Sequence, residues 1–136
     1  MVYIIVMVQR QTKYTRAVSD AVARQGHTTN QAIRHDLHKQ DIIVSDTTTH
    51  RVTQRLQQSG IIREAPKTKD GVMRFDSNTA QHDHFICKSC DGIRDISISE
   101  QIKPLLAEQL DGCKVSGNLV IYGSCNTCSK KTKGTT

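Results

Sequence analysis

This chain of 136 residues contains no tryptophan and few other aromatic side chains, three tyrosines and two phenylalanines. Its apolar packing must come mainly from isoleucine, valine, leucine and alanine, so we expect modest cores. No apolar stretch approaches the roughly 18 residues that a membrane-spanning helix needs. The apolar run at residues 2–8 is too short for a secretory signal and has no basic leader. These absences favour a cytosolic protein.

Four of the five cysteines stand in two pairs, and each pair encloses two residues. The pairs are Cys87 with Cys90 and Cys125 with Cys128. Two such pairs make a tetrahedral zinc site, and in a reducing compartment this spacing favours metal ligation over disulfides. Cys113 stands alone and is expected to be a small buried residue.

Two histidines precede the first cysteine pair. Side chains along a strand repeat every second residue, so His82 and His84 point to the same face if this segment is extended. Four cysteines already complete a zinc site, so the histidines are available for another ligand.

The uneven charge and the predicted zinc site at the two cysteine pairs indicate two lobes. Residues 1–79 carry 12 basic against 7 acidic residues, whereas residues 80–136 carry 7 against 6. The net charge of +5 makes the first part the expected contact for a polyanion. We expect a DNA-binding domain at 1–76, a hinge at 77–81, a metal-binding domain at 82–128 and a disordered tail at 129–136.

Helical periodicity and capping residues predict three helices in the first lobe, and two strand patterns follow them. Gly26 ends the first helix, Thr28 or Thr29 caps the second, Ser45 caps the third, and Gly60 stops it. The helices cover residues 12–25, 29–38 and 45–58, and the strands cover 61–64 and 72–75. This order predicts a winged helix-turn-helix.

The outer face of the third helix is the candidate DNA-reading surface. In a winged helix-turn-helix the third helix can enter the major groove while the hairpin contacts phosphates. Most polar helix faces are merely solvated, but here the helix order, the charge and the hairpin agree. The candidate DNA-binding residues are Thr48, His50, Arg51, Gln54 and Arg55 on the helix, with Lys67 and Lys69 in the hairpin loop.

The second lobe is predicted to be α+β. Strand patterns cover residues 82–87, 93–98, 113–115 and 119–122, and a helix places Ile102, Leu105, Leu106 and Leu110 on one side. Pro104 leaves two possibilities: the helix begins near Lys103, or its first turn is distorted.

Several motifs together resemble the ferric uptake regulator (Fur) family of metal-dependent repressors, over roughly residues 12–131. They are Arg74-Phe75-Asp76, His82-x-His84, Cys87-x2-Cys90, Asp95 and Cys125-x2-Cys128, in the family's order and spacing. The resemblance implies an N-terminal winged-helix domain and a small α/β dimerisation domain with structural Zn2+ at the four cysteines. It also implies a second, regulatory site for Fe2+ or Mn2+ formed by His27, Asp76, His82, His84 and Asp95.

The same resemblance implies a function. It implies that the chain is a homodimeric repressor that binds near-palindromic double-stranded DNA and has no membrane partner. Aspartates at positions 76 and 95 resemble the peroxide-responsive (PerR) branch, which implies Fe(II)-catalysed oxidation of His27 or His82. An iron- or manganese-responsive uptake regulator is the alternative. Gly117-Asn118 and His50 depart from the residues that many relatives carry at these positions.

Two other classes fit less well, and we expect no enzyme. A redox-active pair at Cys87 and Cys90 does not explain the second cysteine pair. A zinc deaminase needs His-x-Glu and a proline before its cysteines, but this chain has Asp83 after His82 and Ile86 before Cys87. A plain zinc ribbon serving as an interaction module leaves the histidines and aspartates of the regulatory set without a role.

Overall fold

The computed structural model describes residues 13–133, which form parts of two compact units, residues 1–79 and 80–136. The apolar run at residues 2–8 and residue 12, where the first predicted helix begins, lie outside the described residues. Within the described range no helix has the length and apolar character to cross a bilayer.

Over its described residues, 13–79, the first unit has three helices and a small sheet. The helices are α1 (Lys13–Gln25), α2 (Asn30–Lys39) and α3 (Asp46–Gln58). The strands are β1 (His27–Thr28), β2 (Arg63–Ala65) and β3 (Arg74–Asp76), and both β1 and β2 pair antiparallel with β3. This is the predicted winged helix-turn-helix, with β1 as an additional short strand.

Local signals set the helix ends. Gly26 follows α1 with φ of 75°, a conformation that glycine adopts without the penalty of a Cβ. The Thr29 hydroxyl accepts a hydrogen bond from Ala32 N, and the Ser45 hydroxyl accepts one from Thr48 N. Both predicted caps of α2 and α3 are therefore confirmed.

The core of the first unit joins all three helices to the sheet. It consists of Val18, Ala21, Val22, Ile33, Leu37, Val44, Val52, Leu56, Ile62 and Phe75, all buried. Their burial holds α3 with His50, Arg51, Gln54 and Arg55 on its exposed side.

The hairpin strands begin two residues later than the sequence pattern predicts, at Arg63 and Arg74. The amide of Ile61 donates instead to Leu56 O at 3.0 Å, so this residue closes the end of α3. Val72 O accepts from Thr68 N at 3.0 Å and belongs to the hairpin loop. Apolar residues at 61 and 72 therefore mark turns and not strand starts.

Over residues 80–133 the second unit is a three-stranded sheet with two helices. Its strands are β4 (Asp83–Cys87), β5 (Ile93–Ile96) and β6 (Val120–Gly123), and its helices are α4 (Ser99–Gln109) and α5 (Asn126–Lys133). β4 is central, antiparallel to β5 and parallel to β6. No residue of α4 is buried, so the apolar core of this unit is small.

Two expectations for the second unit are wrong, and one of the two possibilities for α4 is excluded. Helix α4 begins at Ser99, not near Lys103, and continues through Pro104. Residues 113–115 are not a strand, because left-handed Asp111 and Gly112 reverse the chain and the amide of Cys113 donates to Leu110 O at 3.2 Å. Cys113 is consequently exposed and not buried.

The expected disordered tail is also wrong for residues 129–133, which belong to α5. The amide of Ser129 donates to Cys125 O at 2.8 Å, so the second cysteine pair opens this helix. Residues 134–136 lie outside the described range.

Candidate metal and DNA-binding sites

The four paired cysteines converge. The sulfur atoms of Cys87, Cys90, Cys125 and Cys128 all lie within 4.8 Å of one another. Four sulfurs about 2.3 Å from a central zinc in tetrahedral geometry lie about 3.8 Å apart. The Sγ atoms of Cys90 and Cys125 are 3.9 Å apart. The donor set and its size therefore fit a closed four-thiolate site that can hold a metal ion.

Strand pairing brings the two cysteine pairs together. β6 runs parallel to β4 with Gly123 opposite Cys87, and the amide of Lys88 donates to Gly123 O at 2.8 Å. A Cβ on Gly123 would stand 3.0 Å from Cε2 of Phe85. Glycine at this position thus lets β6 approach β4 closely enough for Cys125 to reach Cys87.

Backbone amides shape the charge of the cysteine cluster. The amide of Cys90 is the main cause that lowers the pKa of the Cys87 thiol to about 6, and the amide of Cys125 adds to it. The sulfur of Cys125, followed by that of Cys87, raises the pKa of Cys128 to about 12. Four thiolates would repel one another without a cation, so a bound dication has to displace protons from the cluster.

Histidines and an aspartate of the second unit form a separate group. His84 on β4 pairs with Asp95 on β5, so their side chains share one face of the sheet. Oδ1 of Asp95 lies 3.1 Å from Nε2 of His82 and 3.4 Å from Nε2 of His84. The two rings meet edge to face with centroids 4.5 Å apart. We call His82, His84 and Asp95 the β4–β5 ligand group.

The tautomer of His82 suits a cation. Its Nδ1 donates to the carbonyl oxygen of Ala80 at 2.6 Å, and because a carbonyl can only accept, Nδ1 carries the hydrogen. When the ring is neutral, this tautomer presents the lone pair of Nε2 to the Asp95 carboxylate. Two acceptors 3.1 Å apart repel each other unless a proton or a metal ion compensates. The group therefore fits a metal ion with nitrogen and oxygen ligands.

The first unit holds a second histidine and aspartate pair. His27 on β1 lies opposite Asp76 on β3, and His27 Nε2 is 3.2 Å from Asp76 Oδ2. Oδ1 of Asp76 accepts from Asn78 N at 2.8 Å, which orients the carboxylate. The family resemblance implied His27 as a regulatory ligand, and the short strand β1 gives it a fixed partner in Asp76.

The candidate DNA-reading face is solvent-accessible. His50, Arg51, Gln54 and Arg55 of α3 are exposed, Thr48 is half-buried, and Lys67 and Lys69 are exposed in the hairpin loop. Arg34 of α2 donates to Val44 O at 3.1 Å and pairs with Asp46 at 2.5 Å, which ties α2 to the start of α3. The exposed helix face thus carries two arginines, and the hairpin loop carries two lysines.

Sequence reasoning missed two structural groups. Thr53 of α3 donates from its buried hydroxyl to Asn30 Oδ1 at 3.0 Å and so fixes α3 against the start of α2. Asp83, between the two histidines, is only 2% exposed and accepts four hydrogen bonds. Strand alternation was the available signal for Asp83, because a carboxylate between two ligands must face the other side of the sheet.

Comparison with known proteins finds a matching family model and several similar proteins. The family model described as "Ferric uptake regulator family" matches residues 9–121. The peroxide operon regulator of Bacillus subtilis is 38% identical over 78 residues, covering 55% of this chain and 52% of that protein. The peroxide-responsive repressor PerR of Staphylococcus aureus is 34% identical over 74 residues, covering 53% and 49%. The chain spans about half the length of these curated relatives.

Solved structures share the fold. A ferric uptake regulator from Francisella tularensis, solved with iron, superposes with a TM-score of 0.70 at 21% identity, covering 88% of this chain and 94% of that chain. At this identity the likeness shows the fold alone.

Proposed function

Because the chain belongs to the ferric uptake regulator family, we propose that it is a metal-dependent repressor whose DNA binding is switched off by hydrogen peroxide. In this proposal it binds a near-palindromic operator as a homodimer. The observation that carries the proposal is the pairing of histidine with aspartate in each unit, His27 with Asp76 and the β4–β5 ligand group with its Asp95.

One regulatory ion joins the two histidine and aspartate sets. Alone, His27 and Asp76 offer two ligands, and the β4–β5 ligand group offers three. Neutral imidazoles and two carboxylates together balance the charge of a divalent ion and suit Fe(II) or Mn(II). An ion shared by both units favours one arrangement of the DNA-binding unit, so metal occupancy and DNA affinity become coupled.

Zn2+ occupies the cysteine cluster in this proposal. Four thiolates form a soft, closed site without a vacant position, which is typical of structural zinc. The small apolar core of the second unit supports this role, because a unit with so little buried apolar surface needs another source of stability.

DNA is bound through α3 and the hairpin loop. Arg51 and Gln54 on the exposed helix face can reach base edges, while Lys67 and Lys69 can pair with phosphates. The net charge of the first 79 residues adds a general attraction for the polyanion.

Peroxide sensing is supported by the aspartates in both histidine sets and by the names of the Bacillus and Staphylococcus relatives. Fe(II) held by these histidines and aspartates would activate hydrogen peroxide beside the imidazoles, and in the net reaction the two electrons that reduce the peroxide come from the oxidised histidine. The net change inserts one oxygen atom into the C2–H bond of His27 or His82 and turns the peroxide into water. The resulting 2-oxo-imidazole has a carbonyl between its nitrogens and ligates poorly, so the histidine releases the ion.

The test is peptide mass spectrometry combined with operator binding, on protein loaded with Fe(II) or with Mn(II) and given the same dose of peroxide. We expect one added oxygen on His27 or His82 and loss of DNA binding only with Fe(II). His35 and His38, on α2 and outside the ligand sets, are internal controls that should stay unmodified.

Other outcomes point elsewhere. Iron-loaded protein that stays unmodified and bound to DNA would leave an iron- or manganese-responsive uptake regulator as the better interpretation. Oxidation confined to the four clustered cysteines would indicate thiol sensing. If DNA binding changes neither with the metal nor when His82 and His84 are replaced, a zinc-stabilised interaction module is the better interpretation.

A further inference from the structure

The buried carboxylate of Asp83 joins the strand that carries the two histidines to the chain segments on either side of it. Asp83 lies between His82 and His84 on β4, so its side chain points away from the face that the two histidines share. It is 2% exposed. Burial of a charged carboxylate is costly unless its oxygens are fully hydrogen-bonded, and here they are.

Each carboxylate oxygen of Asp83 accepts two hydrogen bonds. Oδ2 accepts from the amides of Ile98 and Ser99 at 3.0 and 2.9 Å. Oδ1 accepts from the Ser99 hydroxyl at 2.5 Å and from the Leu119 amide at 2.9 Å. The Leu119 amide is the largest cause that holds the pKa of this carboxyl far below its usual range, followed by the Ser99 hydroxyl.

The donors come from the two segments that flank the ligand strand. Ile98 and Ser99 lie between the end of β5, which carries Asp95, and the start of α4. The N-cap residue of α4 is Ile98, whose side chain cannot accept a hydrogen bond from the amides of the first turn. Asp83 accepts from the amides at this helix start and so serves as the cap. The amides at a helix start favour a negative charge, which stabilises this arrangement further.

Leu119 ties the other side. Its amide donates to Asp83, and its carbonyl accepts from the amide of His84 at 3.0 Å. One peptide segment before β6 therefore holds both the carboxylate and the backbone of the neighbouring histidine. Movement of Asp83 would shift His84 directly and, through Ile98 and Ser99, the end of the strand that carries Asp95.

From this geometry we propose that Asp83 is the positioning residue of the β4–β5 ligand group and not itself a metal ligand. Its four hydrogen bonds occupy both oxygens and fix β4 from the face opposite the histidines. His82, His84 and Asp95 are thereby held at ligand spacing before an ion arrives, so less ordering is required on binding. This inference rests on the proposed regulatory site at the same histidines.

The test uses the full-length protein with its cysteine cluster loaded with zinc, titrated with Co(II) and followed by visible d–d absorption. Asp83→Asn keeps the size of the side chain but turns an amide NH2 toward backbone donors. We expect about tenfold weaker Co(II) binding or more, with a changed d–d band, while the zinc content and the number of reactive thiols stay as in the wild type.

Ser99→Ala is the milder variant, which removes one hydrogen bond and leaves the carboxylate in place. A positioning role predicts Co(II) binding weaker by a fewfold, whereas a ligand role predicts unchanged or tighter binding because an oxygen is released. Ser97→Ala, at an exposed serine two residues earlier, is the matched control and should bind Co(II) like the wild type.

His82→Ala separates this inference from the proposed function. If His82→Ala abolishes the d–d band while Asp83→Asn and Ser99→Ala bind Co(II) normally, the positioning role is wrong and the regulatory site stands. If His82→Ala also leaves the band unchanged, the proposed regulatory site itself fails. Should Asp83→Asn not fold, Ser99→Ala alone decides between the two roles.

Discussion

His82 donates its Nδ1 hydrogen to the carbonyl of Ala80 at 2.6 Å, and this bond determines which nitrogen of the ring can bind a metal. Nε2 faces the carboxylate of Asp95 at 3.1 Å and carries the lone pair when the ring is neutral. The same bond orients the ring before any ion binds, as backbone carbonyls commonly do for metal-ligating histidines. The chemistry of the second unit thus depends on main-chain contacts as well as on the ligands.

Replacing Cys90 with serine should unfold the second unit. Structural zinc contributes binding free energies of about 10 kcal/mol or more to small domains, and the core of this unit cannot replace that. Thermal unfolding followed by circular dichroism should lose one transition, and the protein should lose one zinc equivalent. Cys113→Ser removes an exposed cysteine outside the cluster and should change neither quantity. A zinc-free Cys90→Ser protein with its full transition would contradict this role.

Arg51→Ala should weaken binding to the specific operator by roughly 1–3 kcal/mol, because an arginine reading a base edge contributes about that much. Binding to unrelated DNA should fall much less. The measurement is fluorescence anisotropy on operator and scrambled duplexes at one salt concentration. Lys130→Ala removes an exposed cation from the second unit and serves as the control. Equal losses on both duplexes would assign Arg51 to the phosphates.

Lys67→Ala and Lys69→Ala should act on a different quantity, the salt dependence of binding. A lysine that neutralises one phosphate contributes about 1 to the slope of log K against log salt. Each variant should therefore reduce the slope by about 1 and weaken operator and scrambled DNA alike. An unchanged slope in both variants would remove the hairpin loop from the DNA contact.

Thr53→Val should destabilise the first unit by about 1 kcal/mol, because it removes the hydrogen bond to Asn30 Oδ1. Thr53 is fully buried, and valine has nearly the same shape, so packing should change little. Urea unfolding measures the difference. Thr47→Val makes the same substitution at an exposed position of α3 and should lie within about 0.5 kcal/mol of the wild type.

Local signals in the sequence were enough to predict the helices of the first unit and the composition of the cysteine cluster. Thr29, Ser45 and Gly26 act within one helical turn, so their effect is encoded by neighbouring residues. The spacing of two residues within each cysteine pair likewise brings both sulfurs toward one ion whatever the rest of the chain does. Burial of Ile33 and Leu37 followed from helical periodicity.

The tertiary structure decided what periodicity could not encode. Apolar residues at 61 and 72 resemble strand starts, but hydrogen bonds to Leu56 and Thr68 place them in turns. Cys113 has the character of a core residue, yet the left-handed pair Asp111 and Gly112 turns it outward. In both cases a bond or a turn between particular residues overrode an average preference.

Asp83 shows most clearly how far its role could be predicted from the sequence. Its position between two histidines predicts which face of the strand it occupies, but its donors Ser99 and Leu119 lie 16 and 36 residues further along the chain. The pairing of His27 with Asp76 likewise requires β1 to join β3. Residue patterns determine local conformation because propensities act over a few residues. Contacts between distant segments arise only when burial and strand pairing fix the whole unit, and in this protein those contacts orient the candidate ligands.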